Sequence, residues 1–382
     1  MQKGQSLAMG AKELNWHDIF VVLFGTILSF ADPITDILTL VEFYRADHKT
    51  WFGVGLSFII LPCLFFAVLY GVSSKESGLA EASRVRRFTQ VFLFGFNPFS
   101  PALVKLQTLI FYLKNFRKLW SGEKIVPSDI GTAADEEAHT LLVYSNLALM
   151  YEATLESAPQ FVIQLYAMAV QQESVKIVQT VSLPVSFLSL AWASTIADEV
   201  FHCEGAYTTI KDAPSVKNKL LLFLTHSFVL SSRLFSIALF TVSYKWWITS
   251  VLIFHSTAII VLCDTLWFCS KSDCNAGVIG LSIFFFCLHW LRDDTSTRIQ
   301  DELTEDRKKE LRRMQLFSNV LFLLEDSTMI LLFYFSHFPG RTWYSLPVAV
   351  CVCSFAVLGA IMRVTHFYLL TKESIEEPDE PL

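Results

Sequence analysis

Glu152, Glu156, Gln160 and Gln164 recur at every fourth position within a largely apolar stretch of this 382-residue chain. Residues four apart lie on successive turns of an α-helix, so these side chains form one polar stripe that drifts gradually around the helix. Pro159, inside the stripe, frees a backbone carbonyl on the preceding turn. At 1.5 Å per residue the stripe is about 18 Å long, which is more than half of the hydrocarbon thickness of a bilayer. A hydrated stripe of this length is a route for ions or for lipid headgroups.

Ionisable side chains also interrupt other apolar stretches. Near the middle of a bilayer such groups are costly, and they persist when they are paired, protonated or in contact with water. Asp32 and Asp36 lie one helical turn apart on one face of the first apolar stretch, and Pro33 between them loosens that turn. The other deep charges are the carboxylates of Glu325 and Asp326 and the cations of Lys105, Arg233 and Arg363.

Two interpretations of these charges are open. In the first, Arg233 and Arg363 each neutralise a carboxylate and so join two helices. In the second, the polar side chains line a hydrated path. The six deep carboxyl groups named above outnumber the three deep cations, which favours the second interpretation. The excess must be protonated, hydrated or bound to something positive.

Motifs for catalysis or cofactor binding do not occur in the sequence. It has no Gly-rich phosphate-binding loop, no His-x-x-Glu-His pattern and no Gly-x-Ser-x-Gly pattern. A carboxylate cluster could hold Ca²⁺, but no ligand loop with suitable spacing is found. We therefore expect no enzyme activity, no metal and no cofactor. No long basic tract suggests binding to nucleic acid.

Membrane-spanning helices are the elements that must position these charges. The chain is 53% apolar and only 17% charged, whereas a soluble domain carries about a quarter charged residues. A spanning helix needs about 20 mostly apolar residues. Eight segments satisfy this requirement: Ile19–Tyr44, Trp51–Ser73, Leu141–Val170, Ile177–Phe201, Lys219–Ser243, Trp246–Phe268, Met314–His337 and Trp343–Leu370.

Two further apolar segments are poor candidates for spanning helices. Phe88–Leu113 is interrupted by Asn97, Pro98 and Pro101, and Ala276–Leu291 is short. Each could enter the membrane and return to the same side, provided that other parts of the protein cover its broken backbone.

The distribution of Lys and Arg discriminates between topologies. If both poor segments are re-entrant from the cytoplasm, most of the 30 basic residues lie on the cytoplasmic side, together with both termini. Ten full spans would also keep the termini inside, but would export Lys114–Lys124 and Lys271. The sequence therefore favours an all-α polytopic membrane protein with eight transmembrane helices plus two re-entrant intramembrane helices.

A weak internal repeat divides the chain into two pseudo-repeated halves. Leu155-Glu156-Ser157 and Leu324-Glu325-Asp326 each lead into a similar apolar helix, and a poor segment precedes each of them. Such duplication is common in transport bundles, where the functional path lies between the halves. The expected domains are a cytoplasmic N-terminus (1–18), a first half (19–170), a connecting helix and cytoplasmic loop (171–218), a second half (219–370) and an acidic cytoplasmic tail (371–382).

Residues 151–166, Tyr-Glu-Ala-Thr-Leu-Glu-Ser-Ala-Pro-Gln-Phe-Val-Ile-Gln-Leu-Tyr, resemble the signature of the XK-related family of membrane proteins. Residues 32–37, Asp-Pro-Ile-Thr-Asp-Ile, are similar to the paired Asp pattern of that family. The resemblance covers about residues 18 to 370. It implies an eight-span bundle with two intramembrane helices in two related halves.

Members of that family include energy-independent phospholipid scramblases that expose phosphatidylserine at the plasma membrane of dying cells and are activated by caspase cleavage of a terminal tail. We therefore expect a scramblase in which headgroups slide along the polar path while Lys105 or Arg233 attracts their phosphates. A cleavage site could lie after Asp379, although Glu380 follows where a small residue is favoured. The expected path residues are Asp32, Asp36, Glu152, Glu156, Gln160, Gln164 and Glu325.

Two other functions stay open. Some members of the family pair with a single-span partner protein or with lipid-transfer proteins, so this chain could be an interaction protein that docks such a partner and moves no lipid. It could also be an ion or solute channel, because a hydrated path that conducts headgroups and one that conducts ions need similar side chains.

Overall fold

The computed structural model describes residues 16–76, 97–120, 152–171, 175–204, 216–255, 257, 305–336 and 344–376. Within these ranges the regular structure is entirely helical. The α-helices are α1 (Trp16–Arg45), α2 (Lys49–Glu76), α3 (Ser100–Trp120), α4 (Ala158–Val170), α5 (Ile177–Glu204), α6 (Val216–Tyr244), α7 (Glu305–Phe335) and α8 (Ser345–Glu376). A π-helical segment, Ala153–Ser157, directly precedes α4, and residues 247–255 are also helical.

Four of the described helices are long and apolar enough to cross a membrane. They contain the candidate spans Ile19–Arg45, Ile177–Ile196, Lys219–Tyr244 and Ser345–Thr365, and a shorter apolar helix covers Lys49–Leu64. These agree with predicted segments, and the chain is an α-helical membrane protein. The predicted Ala276–Leu291 segment, like residues 88–96, 141–151 and 258–268, lies outside the described residues, so the count of eight plus two stays a prediction.

Helix α1 shows which side of these helices meets lipid. Ser29 and Asp36 on its inner face are fully buried, whereas Phe20, Ile27 and Leu38 on its outer face are exposed. This arrangement reverses the pattern of a soluble protein, and it suits a bundle whose surroundings are hydrocarbon.

Helix α3 begins where the sequence analysis placed an interruption. The Asn97 side chain accepts a hydrogen bond from the backbone N–H of Phe99 at 3.0 Å, and Ser100 Oγ donates to the Asn97 carbonyl at 2.7 Å. Pro101 follows in the first turn, where a missing N–H costs nothing. The polar and proline residues of the predicted Phe88–Leu113 segment therefore start a helix, which continues to Trp120.

The described helices pack in two groups that meet along one apolar surface. Helix α1 packs against α2, α3 and α5, while α6, α7 and α8 pack against one another. The groups join where α4 and α5 contact α6. We call this surface the apolar seam, and its buried side chains include Phe161, Leu190, Leu234 and Ile237.

Gly359 allows helices α6 and α8 to pack closely against each other. A Cβ atom at this position would lie 2.8 Å from Val229 Cγ2 and 3.1 Å from the Val229 backbone nitrogen. Only a residue without a side chain lets the two backbones approach this closely.

Candidate functional site

Four carboxyl groups are brought together in the first group of helices. Asp32 and Asp36 come from α1, Glu156 comes from the π-segment, and Glu152 comes from the residue before that segment. Each of these four residues is at most 3% exposed. We call them the acidic cluster. The structure encloses these side chains more completely than the open hydrated groove of the sequence prediction would.

Hydroxyl and amide donors surround the two Asp side chains. Ser157 Oγ donates to Asp32 Oδ2 at 2.6 Å. Asp36 Oδ1 accepts three hydrogen bonds, from Gln164 Nε2 at 2.9 Å, Ser182 Oγ at 2.9 Å and Ser186 Oγ at 3.0 Å. These contacts connect α1 to α4 and α5 through polar groups.

The rest of the acidic cluster keeps unused hydrogen-bonding capacity. Both carboxyl oxygens of Glu152, Oε1 of Glu156, Oδ1 of Asp32 and Oδ2 of Asp36 are buried and accept no hydrogen bond from the described part of the chain. A buried acceptor without a donor is unfavourable. The cluster is therefore suited to take up water or a cationic group such as a lipid amine or choline. Among the described residues, no group of three or more His, Cys, Asp or Glu is arranged to hold a metal ion.

Gln160, the third member of the stripe, points to a different neighbour. Its Nε2 donates to the Gly55 carbonyl of α2 at 2.6 Å. Gly55 lies where α2 approaches both α1 and α4, because a Cβ there would meet Leu40 as well as Gln160 Oε1 at 3.3 Å. In this structure Gln160 joins α4 to α2, whereas Gln164 joins α4 to α1.

The π-segment explains how the stripe stays in line. The backbone N–H of Ala158 donates to the carbonyl of Ala153, five residues earlier. In a regular α-helix, a spacing of four residues overshoots a 3.6-residue turn by about 40° at each step. A π turn holds more residues than an α turn and offsets part of this drift. Glu152 and Glu156 therefore remain on the same side as Gln160 and Gln164.

Lys105 is a buried cation close to one end of the acidic cluster. It is 6% exposed, and its Nζ donates to the Gly25 carbonyl of α1 at 3.5 Å. It is also near enough to Glu152 for an electrostatic attraction between the two side chains. A Cβ at Gly25 would lie 3.1 Å from this Nζ and 2.8 Å from Trp192 Nε1. Gly25 thus leaves room for two donors at this end of the cluster.

Aromatic rings pack together near the end of α4 that is away from Glu152. Trp51 of α2 lies 5.6 Å from Phe43 of α1 and 6.5 Å from Tyr166 of α4, measured between ring centroids. Tyr166 follows Gln164 by two residues, so this aromatic contact between α1, α2 and α4 lies just beyond the polar stripe along the helix.

Sequence reasoning missed the polar face of α5. Gln179, Ser182, Ser186 and Ser189 are all buried, and two of these serines bind Asp36. Their spacing of three, four and three residues is that of one helical face. That spacing is visible in the sequence. Small hydroxyl side chains are common in spanning helices, however, so they indicate a polar site less specifically than charged side chains do.

A second polar cluster lies in the other group of helices. Arg233 Nη1 of α6 is 2.8 Å from Glu325 Oε2 and 2.9 Å from Asp326 Oδ1, both on α7. Ser232 Oγ donates to Asp326 Oδ2 at 2.8 Å, and His255 Nδ1 is 2.5 Å from Glu325 Oε2. We call these five residues the Arg233 cluster. For Arg233 and Glu325, the structure therefore agrees with the first of the two interpretations, in which the arginine neutralises a carboxylate and joins two helices.

The remaining predicted site residues are placed as follows. Arg363 of α8 donates from Nη1 to Asn319 Oδ1 of α7 at 2.9 Å. Glu325, a candidate path residue, is in the Arg233 cluster, and its hydrogen bonds are with Arg233 and His255 rather than with the acidic cluster. Asp379 lies outside the described residues. The structure thus brings six of the seven predicted path residues together on α1 and the α4 region, and places Glu325 apart.

Apolar helices that enclose polar clusters define a helical membrane protein with a built polar interior. The chain belongs to the XK-related family, because the model of that family, described as XK-related protein, matches residues 20–372. It is 24% identical over 385 aligned residues to XK-related protein 9 of Tetraodon nigroviridis, covering 93% of this chain and 91% of that protein. It is also 24% identical over 239 residues to XK-related protein 8 of the same species. That alignment covers 59% of this chain and spans about half of the relative, 54% of its length. The family resemblance read from the sequence is confirmed.

Proposed function

We propose that this protein is an energy-independent phospholipid scramblase and not an enzyme. Headgroups such as that of phosphatidylserine would cross between leaflets along the face that carries the acidic cluster and the glutamines of α4, while acyl chains stay in the surrounding lipid. Members of the XK-related family are linked to scrambling, and this chain belongs to that family.

One observation carries the proposal: buried acceptors without a donor from the described part of the chain are concentrated on α1 and the α4 region. A phospholipid headgroup carries both a phosphate and, in the common classes, an amine or choline. The acidic cluster would attract the cationic part, and Lys105 at its end would attract the phosphate. A path of this kind lowers the cost of moving a polar headgroup through hydrocarbon, and it needs no energy source because lipid moves in both directions.

The proposed path has to open before it can carry a headgroup. The acidic cluster is at most 3% exposed, so a headgroup reaches it only after helices separate. We infer that this is a resting state and that activation opens it. Cleavage of the acidic tail after Asp379 is our proposed activating step. A single-span protein or a lipid-transfer protein is our proposed partner.

The Arg233 cluster would have a supporting role. Arg233 forms two ion pairs with α7, so it holds the second group of helices together while the first group moves. We therefore assign headgroup attraction to Lys105 ahead of Arg233.

The decisive experiment uses purified protein in liposomes with fluorescent lipid in both leaflets and dithionite outside. Bleaching beyond the outer half supports scrambling, and Glu152→Gln with Glu156→Gln should slow it. Bleaching of the outer half alone, before and after removal of the tail by protease, contradicts the proposal. Conductance in planar bilayers without lipid movement would indicate a channel. A stoichiometric co-purifying partner, with no lipid movement, would indicate an interaction protein.

A further inference from the structure

Helix α5 makes two kinds of buried contact at different levels along its length. Ser182 and Ser186, in its first half, both donate to Asp36 Oδ1 of α1. Leu190 and Ala193, one to two turns later, belong to the apolar seam together with side chains of α6. All of these residues are fully buried.

The contacts of α5 with α1 and with α6 respond differently to a hydrated headgroup. If α5 parted from α1 at Asp36, water and headgroup atoms could replace part of the hydrogen bonding that Asp36 loses. If α5 parted from α6 at the apolar seam, the same headgroup would meet apolar surface and gain no partner. The α1–α5 contact at Asp36 is therefore the one at which a polar cargo can enter.

We propose that Ser182 and Ser186 are positioning residues that latch α1 to α5 through Asp36, and that breaking this latch opens the path. This inference rests on the proposed function, since it assigns the opening step of the same path. Asp36 alternates between two sets of partners: the serine hydroxyls and Gln164 in the closed state, and water or the lipid amine in the open state. No other charged side chain is hydrogen-bonded to Asp36 in the described part of the chain, so the hydroxyl groups control how tightly the carboxyl is held.

The test compares S182A/S186A with a matched control. Ser194 and Thr195 are equally buried on α5, but their hydroxyls donate to Leu190 and Ala191 of the same helix. S194A/T195A thus removes two buried hydroxyls without breaking a contact between helices. We expect S182A/S186A to raise the basal rate of lipid scrambling about tenfold, since two inter-helix hydrogen bonds are lost, and S194A/T195A to leave it near the wild-type rate.

A second readout separates this latch from scrambling itself. Paired spin labels are placed on lipid-facing positions of a variant whose eight cysteines are replaced, at Leu38 and Val181 for α1–α5 and at Leu188 and Leu224 for α5–α6. We expect S182A/S186A to widen only the α1–α5 distance. If the α1–α5 distance widens but no lipid moves, the latch is supported and the proposed function is overturned. Unchanged distances, or equal widening of both pairs, overturn the latch.

Discussion

Gln160 Nε2 donates to the Gly55 carbonyl oxygen at 2.6 Å, and this contact joins α4 to α2 at the level of the acidic cluster. Both residues are buried. The contact exists because Gly55 has no side chain, since any Cβ there would meet Leu40 and Gln160. Two helices can then approach through a backbone carbonyl, as small residues commonly allow in membranes.

Gly55→Val should therefore destabilise the protein by about 1–3 kcal/mol, because the added atoms force Leu40 and Gln160 aside. The measurement is the melting temperature of purified protein in detergent. Gly53→Val is the matched control, since a Cβ at Gly53 meets no described atom of the protein within 4 Å. An equal loss in both variants would show that glycine acts here through helix flexibility and not through the close contact.

Arg233→Met should be among the most damaging single changes in the second group of helices. It leaves Glu325 and Asp326 buried without their cation, and loss of one partner from a buried ion pair costs about 3–5 kcal/mol. Arg233→Met combined with Glu325→Gln and Asp326→Asn should recover part of that loss, because the uncompensated charges are gone. Folded yield and melting temperature are the readouts.

The control for that series is Arg45→Met, because the Arg45 side chain is 71% exposed in its pair with Glu42. Exposed pairs contribute at most about 1 kcal/mol. If Arg45→Met and Arg233→Met lowered the melting temperature alike, the assignment of Arg233 as the ion pair holding α6 to α7 would be wrong.

Phe161→Ala should open a cavity in the apolar seam and cost about 3–5 kcal/mol. The Phe161 ring lies 5.9 Å from Phe187 and 5.7 Å from Phe235, so it contacts both α5 and α6. Phe335→Ala, at a side chain that is 64% exposed, should have little effect. A small change at both positions would mean that the two groups of helices are not held together by this seam.

Epitope tags added to both ends of the chain should bind antibody only after the plasma membrane is permeabilised. The expectation follows from the excess of Lys and Arg that the predicted topology places on the cytoplasmic side. Immunofluorescence on intact and permeabilised cells measures it. Binding of one tag alone on intact cells would require an odd number of spans, and binding of both tags would reverse the predicted topology.

The helices and their buried charges could largely be predicted from the sequence, whereas the contacts between helices could not. A predicted span of Ile19–Tyr44 became the helix Trp16–Arg45, because a bilayer imposes both length and apolar character on a helix. The stripe on α4 and the pair on α1 were found because charge in an apolar run is costly. The side chains that contact these groups could not be identified in the same way, because they are uncharged.

The contacts between helices could not be predicted from the sequence. Arg233 could have paired with any deep carboxylate, and only the packing of α6 against α7 selects Glu325 and Asp326. The donors Ser182 and Ser186 are remote in sequence from Asp36, which they bind. A π turn differs from an α turn in its backbone hydrogen bonding, so the residue types in Ala153–Ser157 did not predict it.

That π-segment gives the helix a place where it can lose one residue without turning its side chains away. A π turn is one residue longer than the α turn it replaces, so deleting Thr154 would restore regular α geometry. Both kinds of turn complete about one revolution, so residues before the deletion would keep approximately their rotation relative to α4, and Glu152 would stay on the side of Gln164. Deleting Val162 within α4, by contrast, would rotate everything before it by about 100° and shift it by about 1.5 Å along the axis relative to Gln164. Loss of one codon would therefore preserve the alignment of the carboxylates with Gln164 in the π-segment and destroy it a few residues later.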